Sequence, residues 1–266
     1  MKQKVHIFSI ILLTVVIATS VKSQSIGTGD GYHSIVSDGG GMVYTWGSNN
    51  WGQLGNGNTG TDSNVPVAVS TSGLLSGKTI TAVAVGFVHS MALASDGTVY
   101  NWGNNDFGQL GNNTNSASNV PVAVSTSGVL NGKTITTIAA GSGHSIALAS
   151  DGTVYTWGRG VTGQLGNNIS SSSNVPVAVK TSGVLSGKTI TAIAAGSNHS
   201  IALASDGKVY TWGENTYGQL GNNTNSASNV PVAVSTSGVL SGKTITAIGG
   251  GNLHSIALAS DGLLYT

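Results

Sequence analysis

From residue 25 onward the chain alternates short apolar runs with Gly-, Ser- and Asn-rich stretches, and nowhere shows the three-to-four-residue spacing of an amphipathic helix. In one copy of the pattern, residues 189–195 are apolar on both alternating faces, as expected of a strand sandwiched between neighbouring sheets. Gly196 ends that run, a two-residue turn leads to His199, and residues 200–204 read as a second strand. Ser205-Asp206-Gly207 follows, and Asp-Gly is a strong hairpin signal because both residues tolerate positive φ. Residues 208–212 form a predicted third strand. A polar loop (213–229), a short fourth strand (230–234) and a Gly- and Ser-containing return loop (235–243) complete the unit. The unit recurs along the chain: His33, His89, His144, His199 and His254 mark it, with Trp46, Trp102, Trp157 and Trp212 and then Pro66, Pro121, Pro176 and Pro231 in step. The histidine intervals are 56, 55, 55 and 55 residues, so one supersecondary unit is copied about four and a half times.

Four strands per unit and no helix predict an all-β fold, a β-propeller of four-stranded blades. The taper fits, because the first strand ends in Ala-Ala-Gly, suited to a crowded axis, while Tyr and Trp fall on the third strand where blades diverge. The segment Ile193-Ala-Ala-Gly-Ser-Asn-His-Ser-Ile-Ala-Leu203 resembles the signature of the regulator-of-chromosome-condensation repeat. Residues 138–148 and 248–258 follow it, as do the later Tyr-Thr-Trp-Gly and Gly-Gln-Leu-Gly-Asn segments. The resemblance implies a seven-bladed ring. Two copies depart from the signature: Val85 replaces a small residue, and Asp30 stands in place of the glycine, so the first blade is expected to be irregular. The last copy stops at Leu263-Leu-Tyr-Thr266, just before its Trp-Gly, so the expectation is an incomplete ring. Closure by self-association and a smaller irregular ring are the alternatives.

The first residues carry a different pattern. Lys2 and Lys4 precede an apolar run from Val5 to Thr19, and Val21-Lys22-Ser23 suits cleavage after Ser23, the layout of a secretory signal peptide over residues 1–23. The run is shorter than the ~20 residues of a spanning helix, so no membrane span is expected after cleavage. The predicted location is therefore secreted or cell-surface, with residues 24–266 as the propeller. Cysteine is absent, so export was not used to install disulfides. Only 7% of residues are charged and the net charge is +1. Loss of Lys2, Lys4 and Lys22 leaves 7 basic against 9 acidic residues, a net of −2 that argues against nucleic acid.

Repeated Gly-x-x-His-Ser followed by Ser-Asp-Gly brings a Ser/His/Asp triad to mind. Adjacent His and Ser on one strand point to opposite faces, however, and a triad needs one base touching one nucleophile. The histidines are instead expected to tie the inner turn to backbone of their own blade. One histidine per blade is too dispersed for a metal, so neither a metal nor another cofactor is expected. Gly55-Asn-Gly-Asn-Thr-Gly60 matches a dinucleotide pattern by letters alone, with no strand-to-helix context. The tryptophans read as core.

Function is sought where copies differ. The varying positions are the pair before each histidine and the quartet after each Trp-Gly, and both emerge on one face. Trp51, Phe107 and Tyr217 share a register there, with Asp106, Arg159 and Glu214 supplying charge and Phe87 a further aromatic. Aromatics and arginine on a rigid surface are the usual anchors of recognition. Plugging the gaps between blades is the competing role for these rings. The expectation is a non-enzymatic scaffold binding a protein or a glycan. The resemblance also implies a guanine-nucleotide exchange factor for a small GTPase, or a secreted enzyme inhibitor.

Overall fold

The computed structural model describes residues 25–27, 31–38 and 40–266; the predicted leader and Asp30 lie outside them. Among the described residues are five antiparallel sheets, each built from consecutive strands. Blade I comprises β1 Ser25–Gly27, β2 His33–Ser37, β3 Val43–Gly47 and β4 Ser63–Ala68. Blade II comprises β5 Ile80–Val85, β6 His89–Ala94, β7 Val99–Gly103 and β8 Ser118–Ala123. Blade III runs through β9 Ile135–Ala140, β10 His144–Ala149, β11 Val154–Gly158 and β12 Ser173–Ala178. Blade IV runs through β13 Ile190–Ala195, β14 His199–Ala204, β15 Val209–Gly213 and β16 Ser228–Ala233. Blade V contributes β17 Ile245–Gly250, β18 Ser255–Ala259 and β19 Leu264–Tyr265. No helix among the described residues is long and apolar enough to cross a membrane.

Strand bounds agree with the sequence pattern to within about two residues, but burial is distributed differently from the expectation. The second and third strands of blades II to IV are buried throughout, whereas first strands such as β9 and β13 mix buried positions with half-buried and exposed ones. The first strands lie beside one another from blade to blade, so part of each faces the axis rather than a neighbouring sheet. Blade I keeps its four strands and the β2–β3 register, His33 opposite Gly47 through Ser37 opposite Val43, and Asp30, the source of the expected irregularity, lies outside the described residues.

In blades II to IV the third-strand tryptophan fills the seam to the blade before it. Trp102, Trp157 and Trp212 are fully buried, and their Nε1–H groups donate to the backbone carbonyls of Gln53, Gln109 and Gln164 at 2.9, 3.0 and 2.9 Å. The seam between blades II and III shows the packing: Met91, Leu93 and Val99 meet Ala147, Tyr155 and Trp157. The ladder between third and fourth strands breaks at the tryptophan, with Thr156 opposite Val177 but Gly158 opposite Ser173. Pro176 falls in that interruption, where a missing N–H costs no ladder bond.

Candidate functional site

The quartet loops are set by buried amides. The Oε1 atoms of Gln53, Gln109, Gln164 and Gln219 accept from the backbone N–H of Trp51, Phe107, Thr162 and Tyr217 at 2.8, 3.0, 3.0 and 2.9 Å. Asn49, Asn105 and Asn215 accept from the backbone of Leu54, Leu110 and Leu220, closing the loops from the other side. The glycines after Trp51 and Phe107 press on the next blade's fourth strand, where a Cβ on Gly52 or Gly108 would lie 2.7 or 2.4 Å from the Cα of Asn119 or Asn174, whereas Gly218 after Tyr217 has nothing within 4 Å. The Gln and Asn bonds hold the backbone under the aromatics. Trp51, Phe107 and Tyr217 are 43%, 40% and 67% exposed, whereas Trp102, Trp157 and Trp212 are fully buried in the seams.

Several of the sequence-selected residues come together. The Arg159 guanidinium lies over the Phe107 ring, 5.3 Å from its centroid. Its Nη1 donates to Asn198 Oδ1 at 3.4 Å, and Asn198 Nδ2 donates to Glu214 Oε2 at 2.9 Å. Phe107, Arg159, Asn198 and Glu214 therefore form a string across blades II, III and IV. Asp106 is exposed beside it, its Oδ2 accepting from Asn104 Nδ2 at 2.9 Å. Phe87 pairs instead with Tyr32 in an edge-to-face contact, ring centroids 5.1 Å apart, on the inner turns. Trp51 and Tyr217 stand apart on blades I and IV. Tyr32, Gly143 and Asn198 belong to the varying pairs before the histidines, but the sequence did not mark them as binding residues beside the aromatics and charges.

The histidines correct the sequence reading of their role. Four of the five reach the following blade, not the backbone of their own: His33, His89, His144 and His199 place Nε2 at 2.8, 3.0, 3.0 and 3.0 Å from the Oγ of Ser90, Ser145, Ser200 and Ser255. Each serine in turn donates to a glutamine carbonyl, as Ser145 Oγ does to Gln109 O at 2.9 Å. The hydroxyl proton is thereby committed, so the histidine must donate from Nε2–H. Burial holds His33 at a pKa of about 4 and His89 and His144 at about 3. A serine locked as donor to a carbonyl, beside a base this weak, is the opposite of an activated nucleophile. Gly86 and Gly141 have to be glycine here, since a Cβ would meet the ring Nδ1 of His89 or His144 at 2.5 Å. Among the described residues no cluster of three His, Cys, Asp or Glu side chains is placed to hold a metal.

Consecutive four-stranded sheets, latched edge to edge by Trp–carbonyl and His–Ser contacts, define a β-propeller. The chain belongs to the RCC1-like domain family, which it matches over residues 13–266. Among related proteins it is 34% identical to human E3 ubiquitin-protein ligase HERC2 over 85% of its own length and 4% of that protein's. It is 35% identical to the ultraviolet-B receptor UVR8 of Arabidopsis thaliana, covering 88% of the chain and 50% of the receptor. Among solved structures, human WBSCR16 superposes with a TM-score of 0.76 at 26% identity, covering 88% of this chain and 57% of that one. Yeast RCC1 (Prp20) bound to Kap60 gives 0.74 at 26% identity, over 90% and 54%. The chain thus spans about half or less of the length of these relatives.

Proposed function

We propose that this chain is an exported, non-catalytic scaffold that holds a protein partner on the face formed by the inner turns and quartet loops. One observation carries the reading: Trp51, Phe107 and Tyr217 stand exposed in one register on loops clamped by buried Gln and Asn side chains. Rigid backbone beneath exposed aromatic rings lowers the ordering cost of binding, which is how a recognition surface gains affinity. The opposite face repeats the same Lys–Asp pair in blade after blade, such as Lys133 with Asp151 at 2.7 Å, and offers little to discriminate partners.

The test is cross-linking of the purified chain to candidate extracellular proteins, comparing wild type with a Trp51→Ser, Phe107→Ser, Tyr217→Ser variant. Loss of a saturable partner at an unchanged melting temperature is the expected result. Retention of every partner sinks the proposal. Export is tested separately by N-terminal sequencing of the secreted chain, which should begin at Gln24. A guanine-nucleotide exchange role is the second reading, favoured by the likeness to Prp20, which is described as binding Gsp1p and histones. It requires that the chain accelerate release of a fluorescent guanine nucleotide from a small GTPase.

A further inference from the structure

The departures from the repeat concentrate at one point on the variable face. Where other copies carry Asn49, Asn105 and Asn215 to close the quartet loop, blade III carries Gly160. A Cβ there would run into the Ser171 carbonyl, because the following loop has moved into the space and Ser172 Oγ accepts from Gly160 N at 3.3 Å. Where other copies carry Tyr32, Val88, Asn198 and Leu253 before the histidine, blade III carries Gly143. A Cβ on Gly143 would sit 3.3 Å from Phe107 and 3.5 Å from Arg159, so the missing side chain leaves a step beneath that stacked pair. Both changes flank Arg159, which stands where the other copies have Ser48, Asn104 and Glu214.

Arg159 is chemically unfinished. Among the described residues the ion pairs join Lys78, Lys133, Lys188 and Lys243 to aspartates of the opposite face, and none involves Arg159. Its Nε is buried without a hydrogen-bond partner, and its contact through Nη1 is the long one to Asn198. The nearest carboxylate in the string, that of Glu214, already accepts from Asn198. Stacking on Phe107 holds the guanidinium plane while leaving donors unspent, and lifting it slightly toward an incoming acceptor would recover the buried Nε–H. A guanidinium with free adjacent donors matches a carboxylate bidentately. Two residues on, Val161 is exposed and with Thr162, Ser170, Ala227, Ser228 and Asn229 borders a shallow hollow of about 320 Å³.

Resting on the recognition-face reading above, we infer that Arg159 on Phe107 is the anchor for a protein segment bearing an Asp or Glu beside an apolar residue. The carboxylate takes the guanidinium edge, and the apolar neighbour covers the Phe107 ring or Val161. A protein segment is favoured over an acidic sugar because two exposed apolar side chains accompany the cation, Phe107 stacked against it and Val161 two residues along the chain.

The experiment pans a random heptapeptide display library on the full chain. Selected peptides should carry an acid next to an apolar residue. Exchange of that acid for its amide, and separately Arg159→Gln in the protein, should each weaken binding about ten-fold or more, and the Arg159 Nε–H resonance should shift on titration. Peptides that lose binding to the Trp51/Phe107/Tyr217 serine variant but ignore both the acid and Arg159→Gln overturn this inference and leave the face intact. Peptides indifferent to every face substitution overturn both. A library yielding no binder overturns the anchor, as does tighter binding of sialyllactose than of any acidic peptide at the same residues.

Discussion

The buried histidines make the seams acid-sensitive. His89 and His144 are held at pKa values of about 3 and His33 at about 4, in each case chiefly by desolvation, whereas an unfolded chain returns them to about 6.5. Between those values the unfolded state binds more protons than the native state, so stability rises with pH across the window. Acidification below about 6.5 therefore removes stability, by at most ~1.4 kcal/mol per histidine per pH unit, levelling off near the native pKa values. Asp96 and Asp151 are held at about 2 by hydrogen bonds from Lys78 and Lys133, and add a loss only below about 4. Those pairs are substantially exposed and contribute little. Urea midpoints should fall steadily from pH 7 to 4.5, and His89→Gln, which keeps a donor toward Ser145 but cannot titrate, should flatten the slope. A midpoint constant over that range would refute the neutral, donating histidine.

At the scale of the strand and loop, the Gly-Gln-Leu-Gly segment shows what the chain must give up to stack blades. Gly111 has φ +66°, and a Cβ there would lie 2.7 Å from the Trp157 indole; Gly132 has a similar φ of +71° with nothing within 4 Å. Both lose roughly 1–2 kcal/mol of backbone ease on conversion to alanine. Only Gly111→Ala adds a collision with a side chain walled in on every side. Gly111→Ala should thus lower stability by clearly more than Gly132→Ala in parallel denaturant titrations, and equal losses would show that the seam has room to relax. The strands themselves were legible, because alternation, Asp-Gly turns and the repeat each mark them within a few residues. The exposure of Trp51, Phe107 and Tyr217 was foreshadowed by variation between copies. The His–Ser latch was not, because its partners lie about one repeat apart and the only serine that pattern reading could pair with each histidine was its neighbour. Nor was the Arg159–Phe107 stack, which joins two blades across a step created by the absence of a side chain at Gly143.

For the whole molecule, contacts run from each blade to the next, so stability behaves as a row of blade terms joined by seam terms. The described blades II, III and IV each have two seams, blade I and the β17–β19 sheet one each. Trp46 shows the consequence: with no described blade before it, it is only half-buried, while Trp102, Trp157 and Trp212 are inaccessible. Truncating Trp157 to alanine should cost about 3–5 kcal/mol, as for other large buried aromatics. In a row of nearest neighbours the loss is local, because Trp157 spans the seam between blades II and III through Gln109 and the Met91–Leu93–Val99 cluster. Hydrogen exchange followed by mass spectrometry should then show the greatest acceleration in β6, β7, β10 and β11. Blade IV, with its own Trp212 seam intact, should change less. Equal acceleration in all strands would mean that the blades unfold as one cooperative unit, and that the seams couple the molecule more strongly than the strands within each blade.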